Sequence, residues 1–197
     1  MNCNVIMRKK ILFISSRPIF PIVGGDQIRT VQQLEFLVER YDVDVIYMDE
    51  TNKKDVIKCN IPQVCNVFRF YVPKLICYLQ TLCFLFNSLP LQVNYYYNRK
   101  VKRFITEHLS EYDIVFCNNI RTAEYVRQKK GLRKCIDFVD AISMNYSKAQ
   151  CQAHGIKKII YRIDSQRCIR YERMILMDFD CCAIISEVDK QFILSHG

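Results

Sequence analysis

The chain has 197 residues, half of them hydrophobic, with a formal net charge of +9, eleven cysteines and three histidines. That length and apolar content suit one well-packed α/β domain and are short for two. The cysteines are odd in number, scattered and free of any Cys-x-x-Cys pair, and the histidines lie far apart, which argues against a disulfide-rich secreted scaffold and against a zinc site. Free thiols acting as small core residues in a reducing cytosol are the expectation, with Cys77, Cys83, Cys117, Cys181 and Cys182 all set in apolar runs.

Arg8, Lys9 and Lys10 precede the apolar run 11–16. The run is too short for a signal peptide and leads into Pro18, Pro21 and Gly24-Gly25, so it reads as a first strand. Ile28, Val31, Leu34 and Val38 then recur at helical spacing, and Asp26 stands where a cap or first-turn acid stabilises a helix start. A second apolar run, 43–48, completes a strand, glycine turn, helix and strand, which is a βαβ unit with a right-handed crossover. Residues 67–71 read as a third strand and 74–87 as a helix. Residues 98–109 form another helix, with Val101, Phe104, Ile105 and Leu109 on one face. A fourth strand is predicted at 113–117, a helix at 121–128 and a fifth strand at 133–139. A long charged helical region at 143–177 breaks at His154-Gly155. A sixth strand at 182–185 leads to a last helix that Ser186 caps before Glu187. The expected fold is one Rossmann-like, doubly wound α/β domain over 1–197, with a mostly parallel sheet and helices on both faces.

The run 11–16 with Pro18, Pro21, Gly24-Gly25 and Arg29-Thr30 resembles the start of the N-terminal domain of family-four glycosyltransferases of the GT-B fold. Ser88-Leu89-Pro90-Leu91-Gln92-Val93 with Tyr95-Tyr96, Glu111-Tyr112-Asp113-Ile114-Val115, the segment Asp137-Phe138-Val139-Asp140-Ala141-Ile142-Ser143, and Asp180-Cys181-Cys182 through Asp189 extend the resemblance in order and spacing over nearly the whole chain. It implies transfer of a sugar from a nucleotide sugar to a glycan or lipid-linked acceptor, with retention at the anomeric carbon and no separate cofactor. Nothing similar to the donor-binding half is present, so the resemblance implies an acceptor-side domain that meets nucleotide sugar only together with a donor-binding domain.

The candidate site residues lie at the ends of the predicted strands. Gly24 and Gly25 leave backbone N–H groups bare for an acceptor or a diphosphate, although paired glycines also mark ordinary turns. Asp26 and Arg29 follow on the helix; Arg29 either meets a phosphate or carboxylate or forms a surface ion pair. Asn118, Asn119 and Arg121, after the fourth strand, are candidates for hydrogen bonding to sugar. Asp137 and Asp140 flank the end of the fifth strand, where open α/β sheets place functional groups. Asp140 is the one candidate catalytic group, and with Ser143 it either orients an acceptor hydroxyl or caps the next helix. Glu172 and Arg173 read as structural.

The basic clusters at 99–103, 127–134 and 157–173 suit solvated helix faces or an anionic membrane surface. No recognition motif for nucleic acid accompanies them. Residues 75–89 are lipid-like yet fall short of the roughly 20 apolar residues that span a bilayer. The expected location is cytoplasmic, peripheral at the inner face of the cell membrane. The alternative is a non-catalytic Rossmann-like docking subunit that partners a separate donor-binding chain. A nicotinamide-dependent oxidoreductase has an acid ending the second strand in its favour, in Asp49 and Glu50, but Gly24-Gly25-Asp26-Gln27-Ile28 fails its glycine pattern.

Overall fold

The runs around Leu12 and Val45 are apolar at consecutive rather than alternate positions, and both strands are buried on both faces, as the centre of a parallel sheet requires. The computed structural model describes residues 8–51, 61–83 and 86–195. In chain order the elements are β1 (Lys10–Ser15), α1 (Gly25–Val38), β2 (Asp42–Asp49), β3 (Val64–Tyr71), α2 (Lys74–Cys83), α3 (Leu91–Tyr96), α4 (Arg99–His108), β4 (Ile114–Asn118), β5 (Arg133–Asp137), α5 (Ile142–Gln152), α6 (Gly155–Asp178), β6 (Cys181–Ala183) and α7 (Glu187–Ser195), with short 3-10 segments at Leu109–Glu111 and Ile120–Tyr125. The six strands form one sheet in the order β3-β2-β1-β4-β5-β6, and every pairing is parallel. The fold is Rossmann-like: the chain builds outward from β1 to β3 and then crosses back to β4. That reversal opens a crevice at the carboxyl ends of β1 and β4.

Alternate residues of β1 serve two cores. Leu12 and Ile14 join the larger one, with Val101 and Ile105 of α4 and Tyr171 and Ile175 of α6. Ile11 and Phe13 face the other side, where Leu34 and Val38 of α1 cover them and Phe13 stacks on Phe116 with ring centroids 5.2 Å apart. At the amino edge Asp44, buried on β2, accepts from Tyr112 Oη at 2.9 Å and Asn66 Nδ2 at 2.8 Å and pairs with Lys10 Nζ at 3.0 Å. This cluster lies at the edge opposite the crevice.

Several expectations change. The predicted helix at 121–128 is the 3-10 segment, opened by Asn119 at a positive φ of 71°. The helix predicted over 74–87 is described over Lys74–Cys83; Phe84 and Leu85 lie outside the described residues, and Phe86 and Asn87 are not helical. Helix α3 carries only six residues, too few to display a period in the sequence. Ile28 is half exposed and Thr30 is buried in its place, because α1 turns a polar face to the polar end of the sheet. Of the cysteines expected in the core, Cys77 and Cys117 are buried, whereas Cys83, Cys181 and Cys182 are exposed. The last two belong to β6, an edge strand with an uncovered flank. Among the described residues no helix is long and apolar enough to cross a membrane, and no group of three or more His, Cys, Asp or Glu could hold a metal ion.

Candidate functional site

Strand register builds the site. Ser15 pairs with Asn118, and Asn118 with Asp137, so three polar residues form one row across β1, β4 and β5 at their carboxyl ends. Residues paired in a parallel sheet point to the same face, and Ser15 continues the Ile11, Phe13 alternation toward α1. Helix α1 meets this row with polar residues. Thr30 Oγ1 accepts from Asn118 Nδ2 at 2.8 Å and donates to the Asp26 carbonyl at 2.8 Å. Arg29 grips Asp137 with two bonds, Nε to Oδ2 at 2.6 Å and Nη2 to Oδ1 at 3.1 Å. Gln33, one turn further, donates to Asp137 Oδ2 as well.

Asp137 is completely buried, and the Arg29 side chain keeps 30% of its surface. The hydrogen bond to Asp137 raises the Arg29 pKa above its ordinary value, so the pair is a fixed, charge-neutral clamp. Arg29 is therefore neither a free anion ligand nor a surface ion pair. Its partner is a sealed carboxylate.

The loop after β1 leads from Ser15 through a cis Phe20-Pro21 bond to the start of α1. Gly24 is the N-cap, and its carbonyl accepts from Gln27 N and Ile28 N. Gln27 Oε1 accepts in return from Val23 N at 2.7 Å and Gly24 N at 3.2 Å. The next two amides, of Gly25 and Asp26, have no partner among the described residues. A Cβ at Gly25 would meet nothing within 4 Å, and its φ is not positive. Neither packing nor backbone strain requires glycine there; what glycine does is leave the positive end of α1 uncovered. Asp26 pairs with Arg17, so the acid at the mouth is neutralised by a loop cation that sequence reasoning passed over.

After β5 the chain reverses sharply. Asp140 N donates to the Phe138 carbonyl at 2.8 Å around Val139, whose φ is 66°. This is a γ-turn in the left-handed region, a strained conformation for a β-branched residue. Val139 N is held by Asp137 Oδ1 at 3.1 Å. The turn carries Asp140 partly into solvent, where it accepts from Asn145 Nδ2 at 2.6 Å. Asp140 does not cap α5; the N-cap is Ala141, without a side-chain bond.

Ser143 is buried, with its amide and hydroxyl both donating to Glu172 of α6, so it sits inside the fold. Burial pushes the Glu172 carboxyl up to about 7 against the hydrogen bonds that favour its charged form. Asn119 is likewise absorbed: its amide donates to the Asp137 carbonyl at 2.8 Å and its side chain accepts from Arg121 N at 3.3 Å.

Arg121 lies apart from the α1 clamp. Its Nε donates to Gln92 Oε1 at 2.7 Å, and its guanidinium lies 5.1 Å from the centre of the Tyr96 ring. Together with Tyr78 and Tyr95 these residues line a cleft of about 350 Å³ beside α3. Aromatic faces beside an amide and a guanidinium suit a flat ligand with hydroxyls. Gln92, Tyr95 and Tyr96 lie in a stretch whose order the sequence displays but whose helix it hides. The carboxyl edge thus gathers the Gly24–Gly25 loop, Arg29, Asn118, Asn119, Asp137 and Asp140, with the Arg121 cleft to one side and Ser143 beneath the surface.

No family model and no curated protein matches the chain. Among solved structures it is similar to a sucrose-phosphate synthase from Thermosynechococcus elongatus, with a TM-score of 0.50 and 16% identity over 94% of this chain and 81% of that one. It is also similar to Phytolacca americana UGT2 complexed with UDP-2fluoro-glucose and pterostilbene, with a TM-score of 0.49 and 8% identity over 93% of this chain and 49% of that one. At these identities what the chain shares with the synthase is the fold: a parallel, Rossmann-like α/β domain.

Proposed function

We propose that the chain forms the acceptor side of a glycosyltransferase of the GT-B fold. The reaction is transfer of a sugar from a nucleotide sugar to a glycan or lipid-linked acceptor with retention at the anomeric carbon, and these residues meet the nucleotide sugar only together with a donor-binding domain. The observation that carries the reading is the crevice at the carboxyl ends of β1 and β4, where the uncovered amides of Gly25 and Asp26 stand beside the Arg29–Asp137 clamp. Motif order along the chain and the fold shared with a sucrose-phosphate synthase support it.

In this reading the bare N-terminus of α1 receives an anionic or strongly polar group, namely a diphosphate oxygen or an acceptor hydroxyl. The Arg121 cleft stacks a sugar ring on Tyr96. Asp140, projecting from the strained turn, orients the acceptor hydroxyl. The chain contributes positioning rather than proton transfer, since Asp137 is already bound by Arg29 and Asp140 by Asn145. Those same bonds favour the second reading, a non-catalytic docking subunit. In this reading the protein is cytoplasmic and peripheral at the inner face of the membrane, where it would meet a lipid-linked acceptor.

Two measurements test the reading. Calorimetry of the chain with a panel of nucleotide sugars is expected to give no low-micromolar binding, and such binding would overturn the division of labour. A glycan array probed with the wild type and with Gly25→Arg is expected to show acceptor binding that the variant loses. Equal signals, or none from the wild type, would leave the docking reading.

A further inference from the structure

Helix α6 packs on the domain along one face. Its inner face buries Asp164, Ser165, Cys168, Tyr171, Glu172 and Ile175. Its first turns carry a second stripe at i, i+3, i+4 and i+7, with Ile156 77% exposed, Ile159 58%, Ile160 41% and Ile163 47%. A continuous apolar stripe on a helix belongs in contact, yet residues 154–160 are exposed without exception. These turns project past the body of the domain. They are held by the turns that follow, where Tyr161 stacks on Tyr146 of α5 at 5.7 Å and Asp164 accepts from Leu91 N at 2.9 Å.

The charges beside the stripe have one sign. Lys157, Lys158 and Arg162 are exposed, Lys148 of α5 is exposed as well, and no acid occurs in α6 before the buried Asp164. Among the described residues none of these four cations has an ion-pair partner. A second copy of the same helix is a poor occupant, since pairing the stripes would bring Lys157 and Arg162, which border the stripe, against cations of their own kind. An apolar stripe flanked by lysine and arginine complements a surface that is apolar inside and negative outside, which is an anionic lipid bilayer. The lysine stems would lie along the apolar boundary and carry their ammonium groups back to the headgroups.

We propose that the first turns of α6 are a membrane-docking element that inserts Ile156, Ile159, Ile160 and Ile163 among anionic lipids. The inference rests on the membrane-facing part of the reading above and is independent of sugar transfer. Docking through this end also holds the Arg121 cleft near the lipid surface, because the turn that follows the overhang fixes α3 through Asp164 and Leu91.

The test is sedimentation of the whole chain with vesicles of phosphatidylcholine alone and of phosphatidylcholine mixed with phosphatidylglycerol. Wild type is expected with the mixed vesicles only, and partly released by salt. Replacing the four isoleucines by serine is expected to weaken partitioning by at least roughly tenfold and to leave the remainder fully salt-sensitive. Lys157→Glu with Lys158→Glu is expected to lower it by more than about twentyfold. All six positions are exposed, and an unchanged unfolding midpoint for each variant confirms the fold. Equal sedimentation with both vesicles, sedimentation with neither, or undiminished binding by the serine variant would overturn the proposal. So would a wild-type dimer in size exclusion that the serine variant dissolves, which would make the stripe a protein interface. Because no sugar transfer is read, failure of the glycosyltransferase reading and failure of docking are separate results.

Discussion

Gly25 is a residue whose fold role and site role make opposite predictions. At a helix start with open space around its Cβ position, Gly25→Ala is expected to leave stability unchanged or raise it by up to about 1 kcal/mol, while weakening any ligand that approaches the amides of Gly25 and Asp26. Chemical denaturation and ligand titration on the same preparation separate the two. Arg29 is the opposite kind of residue. Removing it in Arg29→Met strands a fully buried Asp137 and is expected to destabilise by about 3 kcal/mol or more. Arg29→Met with Asp137→Leu is expected to recover much of that loss, and urea unfolding of single and double variants reads the difference. Val139 holds a left-handed backbone that costs of order 1–3 kcal/mol in a β-branched residue. Its strain is concentrated at the turn that exposes Asp140.

Among the elements, α6 does more than cover the sheet. Its buried acids reach into the starts of two other helices: Asp164 accepts from the first amide of α3, and Glu172 from Ser143 in the first turn of α5. A carboxylate at a helix N-terminus satisfies an orphan donor and meets the positive end of the dipole. Burial opposes this by disfavouring charge, and it lifts Asp164 to about 6 and Glu172 to about 7. A carboxyl with a raised folded-state pKa binds its proton more tightly folded than unfolded. Its contribution is therefore complete below the unfolded value of about 4.5 and is lost as pH rises through about 7. For Glu172 the window is worth roughly 3 kcal/mol. Glu172→Gln is expected to flatten the fall in stability between pH 5 and pH 8 on the order of that amount, as unfolding midpoints at the two pH values would show.

At the scale of the molecule the two faces of the sheet are unequal. One is covered by α2 through α7 around a large core, and the other by α1 over a much smaller one. Local opening follows buried contact, so hydrogen exchange is expected to be slowest in β1 and β4, intermediate in α1 and fastest in the overhanging first turns of α6. Mass-spectrometric exchange on the free chain checks that order. Protection of 156–163 equal to that of 168–175 would mean that the overhang is packed in solution. Polar groups are divided by edge: the Lys10, Asp44, Asn66 and Tyr112 cluster fastens the amino edge, and the residues that could meet a ligand gather at the carboxyl edge.

The sequence by itself determined the six strands, the first βαβ unit, the loop and bare glycines after β1, the break at His154-Gly155 and the Ser186 cap. Each of these is a short-range matter of periodicity, turn chemistry or capping, written within a few consecutive residues. Only the tertiary structure decided which strands are neighbours, and with that the row Ser15, Asn118, Asp137 that turned α1 so that Thr30 went in and Ile28 went out. Arg29 and Asp137 stand 108 positions apart, and Ser143 and Glu172 stand 29 apart. Such pairs depend on strand order and register, which no local pattern carries. The same holds for α6: its second apolar stripe is visible in the sequence, but only the packed fold decides which stripe is buried and which is left facing outward.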